Sequence, residues 1–158
     1  MDHSFKVGFS FGLTSGVITT LGLMIGLYAG THSRGIVIGG ILIIAIADSF
    51  SDALGIHISE ESENIHTPKE IWIATLSTFV SKFICSLTFI LPLLFFSLDI
   101  AVIVSVIWGF LLLGVFSYYI AVQQKANPLK VIAEHLFLAA LVVVITFFTG
   151  NWVNSIFS

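Results

Sequence analysis

Two carboxylates four residues apart, Asp48 and Asp52, interrupt an otherwise apolar stretch of the sequence. On a helix, residues i and i+4 share a face, and Gly55, Ser59 and Glu63 continue that face toward the end of the run. A carboxylate held in hydrocarbon costs ~2.5 kcal/mol or more, so such a stripe must look into a bundle interior or a wet cavity. One cation, Lys82, sits inside the apolar stretches to balance the pair. One ammonium against two carboxylates leaves a negative charge that would hold a proton or a metal ion. The polar segment that follows adds Glu60, Glu61, Glu63, His66 and Glu70, hard oxygen ligands with one imidazole. That set suits Mn(II), Fe(II) or Mg(II) better than metals that prefer thiolates. Glu134 and His135, in the last apolar run, could face the same cavity from its inner side. Each group also has an ordinary reading: Asp48 and Lys82 as an ion pair that fixes packing, the acidic segment as a solvated loop, and Glu134 with His135 as an interfacial pair.

The elements that must carry these residues follow from hydropathy. Of 158 residues, 57% are hydrophobic and only 9% charged, which excludes a water-soluble monomer. Apolar runs long enough to cross a bilayer lie at roughly 8–30, 36–58, 71–96, 99–122 and 129–152. The breaks at 31–35, 59–70 with Pro68, 97–99 and 123–128 carry turn signals. Backbone amides at membrane depth must pair internally, and runs this long favour helices over strands. The expectation is an all-α, multi-pass integral membrane protein of five transmembrane helices in a single domain over 1–158, in the cell membrane if the source is a prokaryote. The runs that meet at Asp99 leave a second possibility, one hairpin that does not fully cross. The first run is Gly-rich and lacks a small-residue cleavage site, so no cleaved signal peptide is expected. The lone Cys85 can form no intrachain disulfide, and a net charge of -3 without a basic run excludes nucleic acid as a partner. The lipid bilayer is the expected partner.

With the N-terminus inside, Lys6, Lys69, Lys125 and Lys130 flank the inner ends of the runs and only Arg34 flanks an outer one, which predicts N-in, C-out. Midpoints of the runs then set depth. Asp48 and Lys82 fall near the bilayer centre, while Asp52 and Ser15 fall about 7.5 Å and 6 Å to its cytoplasmic side at 1.5 Å per residue. The expected pairing is therefore Asp48 with Lys82, leaving Asp52 beside Ser15 as the ion ligand. Two ladders of small residues, Gly8, Gly12 and Gly16, then Gly22, Gly26 and Gly30, predict close helix packing, with the first run at or near a homodimer axis.

The segment 12–22, Gly-Leu-Thr-Ser-Gly-Val-Ile-Thr-Thr-Leu-Gly, resembles the first-helix signature G-L-x-D-G-x-x-T-T-x-G of the vacuolar iron transporter family. Segment 52–63, Asp-Ala-Leu-Gly-Ile-His-Ile-Ser-Glu-Glu-Ser-Glu, is similar to the end of that family's second helix, M-x-x-G-E-Y-x-S-x-x-S-Q. Leu91-Pro92 and the segment 125–129 resemble later parts in the same order. The resemblance implies a five-helix homodimer that exports Mn(II) or Fe(II) from the cytosol in exchange for protons, with the metal as cargo and no bound cofactor. The chain departs from the pattern at Ser15, where the family has Asp, at Asp52, where it has Met, and at Ile56, where it has Glu. It is also a short variant, because the family's helical cytoplasmic metal-binding domain has no counterpart between the second and third runs. Replacing a thioether with a carboxylate favours the harder Mn(II) over Fe(II). Two other classes compete with transport. One is a non-transporting or channel-like membrane subunit. The other is an intramembrane enzyme, since Asp48, Asp52 and Gly55 are similar to the paired aspartates with which lipid phosphotransferases hold Mg(II). No neighbouring run supplies that enzyme's further Asp and Gly-Arg positions, so the chain is not expected to be an enzyme.

Overall fold

The computed structural model describes residues 3–157 as helices joined by short turns, with no strand among the described residues. In chain order the helices are α1 (His3–Thr31), α2 (Arg34–Ser62), α3 (Pro68–Thr88), α4 (Ile90–Phe95), α5 (Leu98–Gln123) and α6 (Pro128–Phe157). With α3 and α4 taken together as Pro68–Phe95, five stretches are long and apolar enough to cross a membrane. The helices overrun the apolar runs at most ends, α1 beginning at His3 and α6 reaching Phe157. Hydropathy marks the hydrocarbon thickness, whereas helical hydrogen bonding continues until a cap stops it.

Local chemistry sets the boundaries. Pro92 has no N–H to offer the carbonyl four residues back, that of Thr88, and α3 ends at Thr88 with Phe89 bonding instead to Ser86 at 3.2 Å. The chain then turns at Phe96 and Ser97, so the third and fourth apolar runs are separate helices, with Asp99 in the first turn of α5. Three residues in the left-handed region, His32 (φ 49°), Asn64 (φ 56°) and Lys125 (φ 55°), follow the ends of α1, α2 and α5. At Lys125 the bonds Lys125 N to Val122 O and Ala126 N to Ala121 O form a Schellman closure. The starts of α3 and α6 use side chains. Thr67 and Glu70 make a reciprocal capping box before Pro68, and Asn127 Oδ1 accepts from the amides of Leu129 and Lys130.

Two compact units divide the chain, Met1–Thr20 with Ile41–Ile90 and Leu21–Gly40 with Leu91–Ser158, so α1 and α2 each lend residues to both. In the first unit the early part of α1 lies on α3. A Cβ at Gly8 would collide with Ala74 and Ser77, and one at Gly12 with Thr78 and Ser81. In the second unit Gly22 faces Val142, Gly26 faces Thr146 and Gly30 faces Gly150, so the later part of α1 lies on α6. Both glycine ladders are thus engaged inside one chain. The ladders themselves therefore do not argue for the expected placement of the first helix on a dimer axis, because α3 and α6 cover them. The second unit also holds the Tyr28 hydroxyl donating to Asp99 Oδ1 at 2.8 Å and Arg34 Nη2 donating to the Phe96 carbonyl at 2.7 Å. Large apolar side chains such as Ile43, Phe50, Val115 and Phe148 are each more than 60% exposed, surfaces suited to lipid rather than water.

Candidate cation site

Lys82 organises the first unit. Its side chain is 1% exposed, and its ammonium lies 2.5 Å from Asp48 Oδ2 and 2.5 Å from Asp52 Oδ2, both on α2. It also donates to Ser15 Oγ of α1 at 2.9 Å. The geometry ranks these contacts. Asp52 Oδ2 is hydrogen-bonded, whereas Asp48 Oδ2 meets the ammonium as an ion pair and, although buried, accepts no hydrogen bond. The spacing on α2 explains why one ammonium reaches both carboxylates: one turn apart on one face, they lie within the sweep of a flexible four-carbon stem. The expected division, Asp48 paired and Asp52 without its own counter-charge, is therefore not the arrangement found. A midpoint estimate resolves depth but not the lateral reach of a lysine. The charge balance is unaffected, with two carboxylates facing one ammonium.

The approach of Ser15 depends on its neighbour. Gly16 packs against the Lys82 backbone and stem, and a Cβ there would stand 3.3 Å from Lys82 Cγ. The polar face of α3 is one that sequence spacing carries, Thr75, Thr78, Lys82 and Ser86 following one another at i+3 and i+4. Most of its hydroxyls return to their own helix, Thr75 to Ile71 O, Thr78 to Ala74 O and Ser81 to Ser77 O. Thr20 of α1 instead donates across to Ser86 at 2.9 Å. Ser49, next to Asp48, is fully buried with an Oγ that finds no partner. Cys85 is buried, its thiol donating to the Leu13 carbonyl at 3.9 Å.

A second group of ligating side chains forms where α2 ends. The left-handed turn at Asn64 folds the chain back, so His66 Nε2 comes 3.5 Å from Glu60 Oε2 and 3.3 Å from Glu63 Oε2. These three ligand atoms lie within 4.8 Å of one another. Two ligands each about 2.1 Å from one ion are separated by roughly 3.0–3.4 Å, so little rearrangement would be needed to hold a cation there. Glu60 Oε2 is buried and accepts no hydrogen bond. Glu61 is exposed, and Glu70 is committed to capping α3, its Oε2 taking the Thr67 amide at 2.7 Å.

Glu134 and His135 belong to the second unit. Glu134 is exposed and pairs with Lys130 at 3.9 Å, one turn before it on α6. His135 Nδ1 lies 2.7 Å from Ser117 Oγ. Ser117 Oγ also lies 2.6 Å from the Leu113 carbonyl of its own helix. His57 repeats the arrangement in the first unit, with Nδ1 at 2.9 Å from Thr75 Oγ1 and an edge contact to Trp72. In both places a histidine is hydrogen-bonded to a hydroxyl of the neighbouring helix. No protein-family model matches the chain, and no curated protein is found similar to it.

Proposed function

We propose that the protein is a transporter of divalent first-row metal ions, Mn(II) ahead of Fe(II), moving them out of the cytosol with protons as the counter-ion. The observation that carries this reading is the collar of Asp48, Asp52 and Ser15 around Lys82, two carboxylates against one ammonium within helices apolar enough to cross a bilayer. Ionisable side chains are expensive there and mark ion pathways when they occur. The Glu60, Glu63 and His66 group, which begins eight residues beyond Asp52 at the end of the same helix and continues into the turn after it, would gather the same class of ion before it reaches membrane depth. An imidazole with two carboxylates favours Mn(II), Fe(II) or Zn(II) over Mg(II) and over soft Cu(I). The resemblance of segments 12–22 and 52–63 to the vacuolar iron transporter family supports the same cargo, an N-in, C-out orientation and a homodimer.

The test is Mn(II) uptake into proteoliposomes containing calcein, with a lumenal pH dye reporting counter-moving protons. Wild-type protein should quench calcein faster than empty vesicles, and Asp52→Asn should abolish the difference. Equal uptake by Asp52→Asn, Asp48→Asn and wild type would remove the intramembrane site. No uptake by wild type would overturn transport and favour a non-transporting subunit in which the collar only joins helices.

A further inference from the structure

The Lys82 ammonium occupies the seat a cargo cation would take. Three oxygens from two helices, Ser15 Oγ at 2.9 Å and Asp48 Oδ2 and Asp52 Oδ2 at 2.5 Å each, converge on one nitrogen that is almost wholly removed from solvent. These are the same oxygens a divalent ion would need, and they cannot serve both at normal coordination distances. We propose that Lys82 is a tethered competitor: its ammonium fills the site between transport events, leaves when a divalent cation binds, and expels the ion by returning. This rests on reading the collar as a cation site and adds a role for the one residue in it that cannot be a ligand while charged.

The charge balance supports displacement over a fixed brace. With the ammonium seated the collar carries one net negative charge, too little for a divalent ion, and with the ammonium withdrawn it carries two. The facing charged groups are Asp48 and Asp52 of α2, while α1 contributes only the neutral Ser15 and Gly16.

The experiment compares Mn(II) affinity for wild type, Lys82→Met and Lys82→Arg. Full-length, tag-free protein in lipid nanodiscs would carry Glu60→Gln, Glu63→Gln and His66→Asn to silence the loop group, with free Mn(II) read by electron paramagnetic resonance. Methionine keeps the stem and removes the competitor, so Kd should fall at least tenfold while vesicle uptake slows, because nothing returns to expel the ion. Arginine pairs bidentately with carboxylates and is harder to displace, so Kd should rise at least tenfold. Lys82→Met should also become Mn(II)-dependent in thermal stability, the bound ion replacing the lost charge. A brace of purely structural importance would instead give a Met variant with unchanged or weaker Mn(II) affinity and no stabilisation by metal, which overturns the proposal. If the Met variant survives purification under no condition, the Arg variant decides: weaker binding supports displacement and unchanged Kd refutes it. Failure of both wild type and Lys82→Met to bind Mn(II) would sink the cation-site reading itself, whereas binding by wild type in the wrong rank order sinks only the role of Lys82.

Discussion

A lysine with 1% exposure is tolerated in an apolar helix because its ammonium never lacks an acceptor. That redundancy has an energetic signature. Removing the sole partner of a buried ion costs about 3–5 kcal/mol, but here Asp48 and Asp52 each back up the other. Asp48→Asn and Asp52→Asn should therefore each destabilise modestly, Asp52→Asn more, since it also loses the hydrogen bond. The double variant should cost at least ~1 kcal/mol beyond the sum of the two, because only then is Lys82 stranded with Ser15 alone. Reversible unfolding in mixed detergent micelles would measure the cycle, and strict additivity would mean the two carboxylates do not share the ammonium. At the same scale, Thr67→Ala should cost about 1 kcal/mol by undoing the capping box that starts α3. Thr67→Ser, which keeps the hydroxyl, should cost much less.

Among the helices, close approach rather than residue type decides what a glycine is worth. Gly12 lies against the α3 backbone at Thr78, so Gly12→Ala must push α1 away from α3 and should lower the melting temperature by several degrees, while Gly39→Ala and Gly114→Ala meet open space. Those two should be neutral or stabilising by roughly 0.5–1 kcal/mol, the usual advantage of Ala over Gly within a helix. Gly12→Leu should lower protomer stability without selectively dissociating an oligomer, which native mass spectrometry can separate from unfolding. Selective dissociation would place the ladder between subunits instead. α6 differs from the other spans: only Ala139 and Gly150 are buried along it, so most conservative apolar exchanges on its outer face should leave stability within ~0.5 kcal/mol.

For the whole molecule, five helices are long and apolar enough to cross a membrane, and the N-in, C-out orientation proposed from the lysine asymmetry makes a direct prediction. A cysteine at Ser158, a position outside the described residues, should react with an impermeant maleimide on intact cells. Reaction only after permeabilisation would invert the topology. Cys85 is buried and should contribute little background.

What the sequence determined by itself was one-dimensional: five apolar stretches, the shared face of Asp48 and Asp52, and a single membrane-embedded lysine to answer them. Those follow from period and hydropathy, which depend on neighbours in the chain. Only the tertiary structure decided that Lys82 serves both carboxylates, that Ser15 joins them, and that the glycines of α1 are spent on α3 and α6. Each of these is a distance between helices, set by how closely small residues let backbones approach and how far a lysine stem can reach. His66 shows the same division on a smaller scale. Its residue type and spacing from Glu60 and Glu63 were plain, but only the left-handed turn at Asn64 brings its Nε2 to within 3.5 Å of both carboxylates.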